Sequence, residues 1–150
     1  MFKLLTEPFV QDCVIEHLSK QGYGKPLKPK GLREHGVDIK VKHKNYGRYY
    51  LVECKGDPSK KVKAPEGSRN SIMNSAIGQI ITRMHTKRKR SYKYGYKYGI
   101  AFPVSFKERV AMKIPYDACD KLNLGLFFVN SFGEVEEYNH RKLKVIQSNK

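Results

Sequence analysis

Two segments decide the fold: His35-Gly36-Val37-Asp38-Ile39-Lys40-Val41 and, after a short basic connection, Tyr49-Tyr50-Leu51-Val52-Glu53-Cys54-Lys55-Gly56. Successive side chains point to opposite faces of a β-strand, and both segments alternate in this way, so each is a predicted strand. The connection contains Asn45 and Gly47, which favour a tight reversal. The two segments are therefore predicted to form a β-hairpin.

The hairpin is predicted to bring two carboxyl groups and one ammonium group together. Asp38 lies on the polar face of the first strand, and Glu53 and Lys55 share one face of the second. With a loop centred on Tyr46 and Gly47, Asp38 pairs with Lys55, and Glu53 is its diagonal neighbour. Diagonal neighbours lie roughly 7–8 Å apart, so one or two cations can bridge their carboxylates.

Such a group of side chains suits the hydrolysis of a phosphodiester. A hard cation such as Mg²⁺ prefers oxygen ligands and keeps waters and substrate phosphate in its remaining positions. A neighbouring lysine can orient or deprotonate an attacking water once burial and nearby charges tune its pKa. An amphipathic hairpin with a solvated polar face would carry the same pattern, and this alternative stays open.

Asp38, fourteen intervening residues and then Glu53-Cys54-Lys55 resemble the signature of the PD-(D/E)XK nucleases. This superfamily includes restriction endonucleases, archaeal Holliday junction resolvases and Mrr-like enzymes. The first motif residue of the superfamily is Pro, and Val37 stands in that place, as in the Gly-Val-Asp-Ile form found among Mrr-like members. The resemblance covers about residues 7–103.

The resemblance implies both a fold and a metal site. The implied fold is α/β, a restriction-endonuclease-like mixed β-sheet flanked by helices with an α-β-β-β-α-β core. Asp38 and Glu53 are implied to bind Mg²⁺, for which Mn²⁺ would substitute, and the backbone carbonyl of Cys54 is a further candidate ligand. Lys55 is implied to serve the nucleophilic water.

Relatives in this superfamily also carry a Glu on the first helix and often a Gln on the helix after the second motif. Glu7 and Gln79 stand at comparable places and are candidate catalytic residues. Each has a simpler interpretation, which stays open. Glu7 is also an anion well placed against the dipole of a helix N-terminus, and Gln79 is also a residue at the edge of an apolar helix face.

The composition favours a polyanionic partner. The chain has 30 Lys and Arg residues against 14 Asp and Glu, and its formal net charge is +16. This charge opposes self-association and favours nucleic acid. The 150 residues suit one domain. We predict a single nuclease-like domain spanning 1–150, with its core at about 7–103 and a C-terminal helix and strand extension at 104–140.

Positive charge is concentrated between Glu66 and Glu108, an interval without acidic residues. A basic run of this kind is either a solvated face or a set of phosphate contacts. Tyr92 and Tyr94, which alternate with basic residues and glycine, suit either one face of a strand or stacking on unpaired bases. The candidate nucleic-acid contacts are Arg83, Lys87, Arg88, Lys89, Arg90 and Lys93.

The cysteines predict an intracellular protein, in the cytoplasm or nucleoid. Cys13, Cys54 and Cys119 are odd in number and lack Cys-x-x-Cys spacing, so neither a disulfide framework nor a zinc site is indicated. The sequence has no apolar run of the length needed to span a bilayer and no secretory signal, so no membrane partner is expected.

The spacing of hydrophobic residues predicts the helices and strands in the first half of the chain. A helix is predicted over about residues 7–20 with Thr6 as its N-cap, and a second from Ser71 to roughly Lys87. A short edge strand is predicted around Tyr23–Leu27. Residues 57–70 are too rich in Pro, Gly and charge for a regular element and are predicted to be a loop, either a flap over the substrate or a disordered segment.

The second half is predicted to alternate between helices and strands. A strand is expected from Tyr98 onward, and residues 105–122 are expected to form two short helices, or a helix and a turn, interrupted by Pro115. Residues 124–129 are predicted to form a buried strand. The acidic residues at 134–137 are predicted to face solvent, and the basic tail from Arg141 is predicted to fray.

We therefore expect a Mg²⁺-dependent DNA endonuclease that uses Asp38, Glu53 and Lys55. A homodimer is left open, because related nucleases that cut both strands often act as dimers. The alternative function is a non-catalytic, basic nucleic-acid-binding module that keeps the nuclease fold. A third hypothesis is a basic protein of ribonucleoprotein assemblies, which would prefer RNA and ignore divalent metal.

Overall fold

A five-stranded mixed sheet forms the centre of the protein. The computed structural model describes residues 4–27, 38–59, 65–84 and 96–149. The strands are β1 (Ile39–Lys42), β2 (Tyr49–Cys54), β3 (Tyr96–Pro103), β4 (Leu124–Val129) and β5 (Val135–Tyr138). The helices are α1 (Glu7–Lys20), α2 (Pro65–Thr82), α3 (Lys107–Lys113), α4 (Tyr116–Leu122) and α5 (His140–Ser148), with a short 3-10 turn at Val104–Phe106.

The strands lie in sequence order, β1-β2-β3-β4-β5. The three central strands β2, β3 and β4 are parallel, and β1 and β5 run antiparallel to their neighbours at the two edges. The predicted α/β class with a mixed sheet is therefore confirmed. The finer expectation, a restriction-endonuclease-like core, stays a prediction.

Helices cover both faces of the sheet. Helix α1 buries Val10, Val14 and Leu18 against one face, in a cluster that includes Ile39 and Val52. Helices α2 to α5 pack on the other face, where the cluster is built around the apolar side chains of β3 and β4. Within the described ranges, no helix combines the length and the apolar character needed to cross a bilayer.

The hairpin forms with a register two residues away from the predicted one. Ile39 lies opposite Val52, where the prediction paired it with Cys54. The turn is centred one residue earlier than predicted, on Asn45 and Tyr46, and His43 closes it: the His43 N–H donates to the Arg48 carbonyl over 2.8 Å, and the His43 ring accepts from the Asn45 N–H. Side chains alternate with a period of two, so a two-residue shift leaves every side chain on its predicted face.

Helix α1 matches its prediction, and helix α2 does not. The Thr6 hydroxyl oxygen caps α1 by accepting from the Phe9 N–H over 3.3 Å. Helix α2 begins at Pro65, six residues before the predicted start, and ends at Thr82. The predicted loop at 57–70 was therefore wrong for residues 65–70, because proline suits the first turn of a helix and has no N–H to leave unpaired there. Residues 60–64 of the predicted flap lie outside the described residues.

The predicted edge strand around Tyr23–Leu27 is reduced to a bridge between Tyr23 and His43. The segment still follows the outer edge of β1. The Gly24 N–H donates to the Lys42 carbonyl over 2.9 Å, and the Leu27 N–H donates to the Lys40 carbonyl over 2.8 Å.

The C-terminal half follows its prediction until the tail. Two helices flank Pro115, and β4 is buried along its whole length, as expected. The predicted frayed tail was wrong, because residues 140–148 form helix α5. Asn139 caps this helix by accepting from the Lys142 N–H over 2.9 Å, and Leu143 is fully buried.

A close backbone approach fastens the start of α1 to the end of β2. A β-carbon at residue 56 would lie 2.6 Å from the Glu7 backbone nitrogen and 3.0 Å from the Leu5 carbonyl oxygen, so Gly56 is the residue that permits this approach. Asp57 completes the junction, because its N–H donates to the Leu5 carbonyl and its carboxylate accepts from the Leu5 N–H, both over 2.8 Å.

Replacing Gly56 by alanine should destabilise the protein by about 1–3 kcal/mol, the usual cost of forcing extra atoms into a packed position. The atoms that would clash belong to the backbone and cannot rotate away. Urea unfolding measures the change. Gly78→Ala is the matched control: Gly78 lies inside α2 with open space at its β-carbon position. This control should gain roughly 0.5–1 kcal/mol from helix propensity. A stable Gly56→Ala variant would contradict the close approach.

Candidate active site

Four of the predicted site residues meet at one edge of the sheet. Glu53 lies near the carboxyl end of β2, and Lys55 follows directly after it. Because β1 runs antiparallel to β2, Asp38 at its start lies at the same edge. Glu7 is the first residue of α1, which the junction at Gly56 fastens to this edge. Ligands of open α/β sheets usually bind outside the carboxyl ends of the strands.

The carboxylate of Asp38 is fixed by the backbone of β2. Asp38 Oδ2 accepts a hydrogen bond from the Cys54 N–H over 2.8 Å. The negative charge of Asp38 also raises the pKa values of the Glu7 and Glu53 carboxyl groups. Like charges held close together repel each other, so a bound cation would relieve this repulsion.

Burial and mutual repulsion act on the acids of the cluster. Glu53 is only 4% exposed, and this burial, followed by the charge of Asp38, raises the Glu53 pKa to about 7 against the opposing effects of Arg83 and Lys55. The pKa of Glu7 is raised by the same two causes, with burial the larger, and Lys55 again opposes the shift. A raised carboxyl pKa beside a specific charged partner is a common property of functional sites.

Arg83, the residue directly after helix α2, reaches Glu53. The Arg83 Nε atom lies 3.7 Å from Glu53 Oε1, close enough for an ion pair and too far for a hydrogen bond. Gln79 lies about one turn earlier, inside α2. Glu53 Oε1, Arg83 Nε and Gln79 Oε1 are all buried, and none has a hydrogen-bonding partner among the described residues. Each unmet group of this kind costs about 1–3 kcal/mol.

The acidic groups at this edge match the needs of a divalent cation only in part. In the described ranges, no three Asp, Glu, His or Cys side chains are grouped closely enough to hold a metal ion. Two adjacent carboxylates with a buried, unpartnered oxygen on Glu53 do suit Mg²⁺, which typically binds one or two carboxylates and keeps waters and phosphate as its other ligands. Asp38 and Glu53, with the Cys54 carbonyl, are the residues that would hold it.

The remaining predicted residues divide into two groups. Lys87, Arg88, Lys89, Arg90, Lys93, Tyr92 and Tyr94 lie outside the described residues. Cys54 lies in β2 with its thiol in the cluster on the α1 side, opposite to Glu53. Burial, followed by the negative charge of Asp38, raises the pKa of the Cys54 thiol well above its usual value, so this thiol is not a nucleophile of the site.

Asp57 was missed by the sequence analysis, which assigned it to an irregular loop. Its side chain is 4% exposed and forms an ion pair with Arg69 at 3.9 Å. Its carboxylate also accepts from the Ser105 hydroxyl over 2.5 Å and from the Leu5 N–H. The partners lie in three separate parts of the sequence, and only the clustering of Gly56, Asp57 and Pro58 marks the position in the sequence.

The environment of Glu137 differs from the one predicted from the sequence. The acidic residues at 134–137 were predicted to face solvent, and Glu134 and Glu136 do. The Glu137 side chain is 20% exposed, and its Oε1 atom contacts His17 Nε2 at 3.1 Å and the Gln21 amide at 3.0 Å. The hydroxyl of the buried Tyr50 donates to its other oxygen over 3.4 Å. This network belongs to the α1 side of the sheet and not to the candidate site.

No family model, curated protein or solved structure matches this chain. The resemblance to PD-(D/E)XK nucleases therefore rests on the motif residues and on where the fold brings them, and membership of that superfamily stays a proposal.

Replacing Glu53 by Gln should stabilise the protein at high pH. The pKa of Glu53 is about 7 in the folded protein, above the usual 4.5. Folding stability is therefore lost as the pH rises between these two values and the buried group ionises. The Glu53→Gln variant cannot ionise and escapes this loss. We expect melting temperatures in chelator that are similar at pH 4.5 and higher for the variant at pH 8, by roughly 2–4 °C for each kcal/mol gained.

Glu136→Gln is the control variant, because the pKa of Glu136 is shifted in the opposite direction from that of Glu53. A hydrogen bond from Lys107 lowers the pKa of Glu136, so its ionised form favours folding at neutral pH and this contribution is lost as the pH falls through the lowered pKa. The Glu136→Gln variant should melt slightly lower than the original protein at pH 8, because its side chain is 46% exposed and the ion pair is screened. Equal gains in both variants would contradict burial as the cause of the Glu53 shift.

Proposed function

We propose that the protein is a Mg²⁺-dependent DNA endonuclease that hydrolyses phosphodiester bonds at the Asp38, Glu53 and Lys55 cluster. The observation that carries the proposal is the meeting of these three groups, with Glu7, at the carboxyl end of β2, where the Glu53 pKa is raised to about 7. A buried acid with a strongly raised pKa lowers folding stability, and such acids are typical of active sites. The restriction-endonuclease-like fold belongs to the same proposal.

Each side chain has a role in this proposal. Asp38, oriented by the Cys54 N–H, and Glu53 hold the cation, and Mn²⁺ would substitute for Mg²⁺. The bound cation supplies positive charge that polarises the phosphate and acidifies water. Lys55 orients the attacking water or offsets charge that grows on the phosphate.

Three further side chains act around this centre. Arg83, whose Nε atom is buried 3.7 Å from Glu53 Oε1, contacts the phosphate through the exposed part of its side chain. Gln79 offers its side-chain amide from helix α2, and Glu7 adds negative charge close to Asp38. Lys87, Arg88, Lys89, Arg90 and Lys93 add phosphate contacts, so binding should weaken steeply with salt.

An intracellular location and a homodimer that cuts both strands are parts of the same proposal. The three thiols are free, and those of Cys54 and Cys119 are buried, which suits a reducing compartment. DNA as the partner is supported by the net charge of +16.

A non-catalytic nucleic-acid-binding module is the second candidate. The observation that favours it is that the described residues contain no group of three ligands for a metal. This module would bind nucleic acid with the same dependence on salt and would show no turnover with any divalent cation.

Asp38→Asn and Lys55→Gln should each lower the rate of DNA cleavage in Mg²⁺ or Mn²⁺ by about 100-fold or more, the usual effect of losing an acid–base group. Binding to DNA measured in chelator should stay within a few-fold of the original protein, because neither change removes most of the positive charge. The substrates are duplex, junction, flap and single-stranded DNA, with RNA of the same sequence alongside.

Asp117→Asn and Lys121→Gln are the matched controls. These residues form an exposed ion pair of 3.5 Å on α4, and their replacement should leave cleavage unchanged. Salt-sensitive binding without cleavage by the original protein would favour the binding module. Preference for RNA without any effect of divalent metal would favour the ribonucleoprotein hypothesis.

A further inference from the structure

Two lysines of β1 extend the face that carries Asp38. Residues 38, 40 and 42 alternate with the buried Ile39 and Val41, so Lys40 and Lys42 lie on the same side of the hairpin as Asp38. Lys40 is half-buried and Lys42 is exposed. The described residues offer neither lysine a carboxylate partner within ion-pair distance, although other surface lysines such as Lys107 have one.

A tyrosine ring holds both ammonium groups near one place. Lys40 Nζ lies 5.4 Å and Lys42 Nζ 5.6 Å from the centre of the Tyr49 ring. This ring is itself stacked on Tyr96, with the two centres 5.4 Å apart. The attraction of a cation to an aromatic face orients both lysines without neutralising either charge. Two like charges held close together repel each other, and an anion beside them relieves that repulsion.

The spacing of these groups suits a nucleic acid strand. Alternate residues on a β-strand lie roughly 6.6–6.8 Å apart, so Lys40 and Lys42 follow Asp38 at equal steps along the surface. Successive phosphates of one strand are separated by a similar distance. A strand with one phosphate at the acid cluster would therefore bring its next phosphates past the two lysines.

We propose that Lys40 and Lys42, positioned by Tyr49, bind the phosphates on one side of the cleaved bond of a nucleic acid strand. The proposal rests on the proposed function for the place of the cleaved bond. It adds a binding surface on β1 to the contacts expected from Arg83 and the basic stretch at 87–93, and it fixes the direction in which the strand leaves the site.

The first test is the salt dependence of binding to a fluorescent single-stranded DNA, measured in chelator so that cleavage does not interfere. Each phosphate contact contributes about 0.7 to the slope of log K against log salt for a single strand. The slope for the variant Lys40→Gln/Lys42→Gln should therefore fall by about 1.4, and Lys40→Arg/Lys42→Arg should restore it. An unchanged slope for the glutamine variant would overturn the proposal.

The matched control removes two lysines elsewhere. Lys20 on α1 pairs with Glu16 at 3.8 Å, and Lys121 on α4 pairs with Asp117 at 3.5 Å. The variant Lys20→Gln/Lys121→Gln has the same net charge as Lys40→Gln/Lys42→Gln, and it should leave the slope unchanged. An equal fall in both variants would show a general effect of charge and would overturn the assignment to β1.

A second test locates the contact on the DNA. Neutral methylphosphonate linkages placed one at a time along the strand should weaken binding of the original protein at particular positions, and Lys40→Gln/Lys42→Gln should be insensitive at those positions. In Mg²⁺, these positions should lie next to the cleaved bond, on one side only. The proposal would be overturned if the positions at which Lys40→Gln/Lys42→Gln loses its sensitivity lay on both sides of the bond or distant from it. A fall in slope without cleavage by any form would overturn the nuclease proposal and leave the phosphate contact in place.

Discussion

The buried carboxylate of Asp57 holds together the part of the fold on which the candidate site depends. It ties Leu5, two residues before helix α1, to Ser105 in the turn after β3 by accepting from the Leu5 N–H and the Ser105 hydroxyl, and its charge is balanced by Arg69 from α2. Gly56 beside it lets the two backbones touch. Because of this junction, the charge of Asp38 acts on Glu7, although 30 residues lie between them in the sequence.

The acidic side chains next to this junction, above all Glu53 beside Asp38, lower the stability of the folded protein. Glu53 is ionised at a cost, since burial and Asp38 both disfavour its charge, and its Oε1 atom lacks a hydrogen bond in the described part of the chain. The ion pair with Arg83 at 3.7 Å compensates only in part. Proteins commonly keep such unfavourable groups where a ligand or a reaction needs them. The same unmet charge that weakens the empty fold would strengthen the binding of a cation.

The sequence predicted the faces of the hairpin and missed how the site is assembled. The two-residue period placed Asp38, Glu53 and Lys55 on one side correctly, because alternation depends only on local geometry. The register was wrong by two residues, because the turn is closed by contacts of His43 that no turn rule contains. Asp57 and the start of α2 were missed for a related reason, because partners far away in the sequence contribute to their stability. Asp57 accepts a hydrogen bond from Ser105, and Glu66 in the first turn of α2 forms an ion pair with Arg109.

The segment beside β1 limits how two copies of the chain can associate. The carbonyls of Lys40 and Lys42 on the outer edge of β1 accept hydrogen bonds from the Leu27 and Gly24 N–H groups. A strand from another molecule cannot pair with these groups unless it displaces residues 24–27. A continuous intermolecular sheet across this edge is therefore disfavoured, and any association of two copies would have to use another surface of the protein.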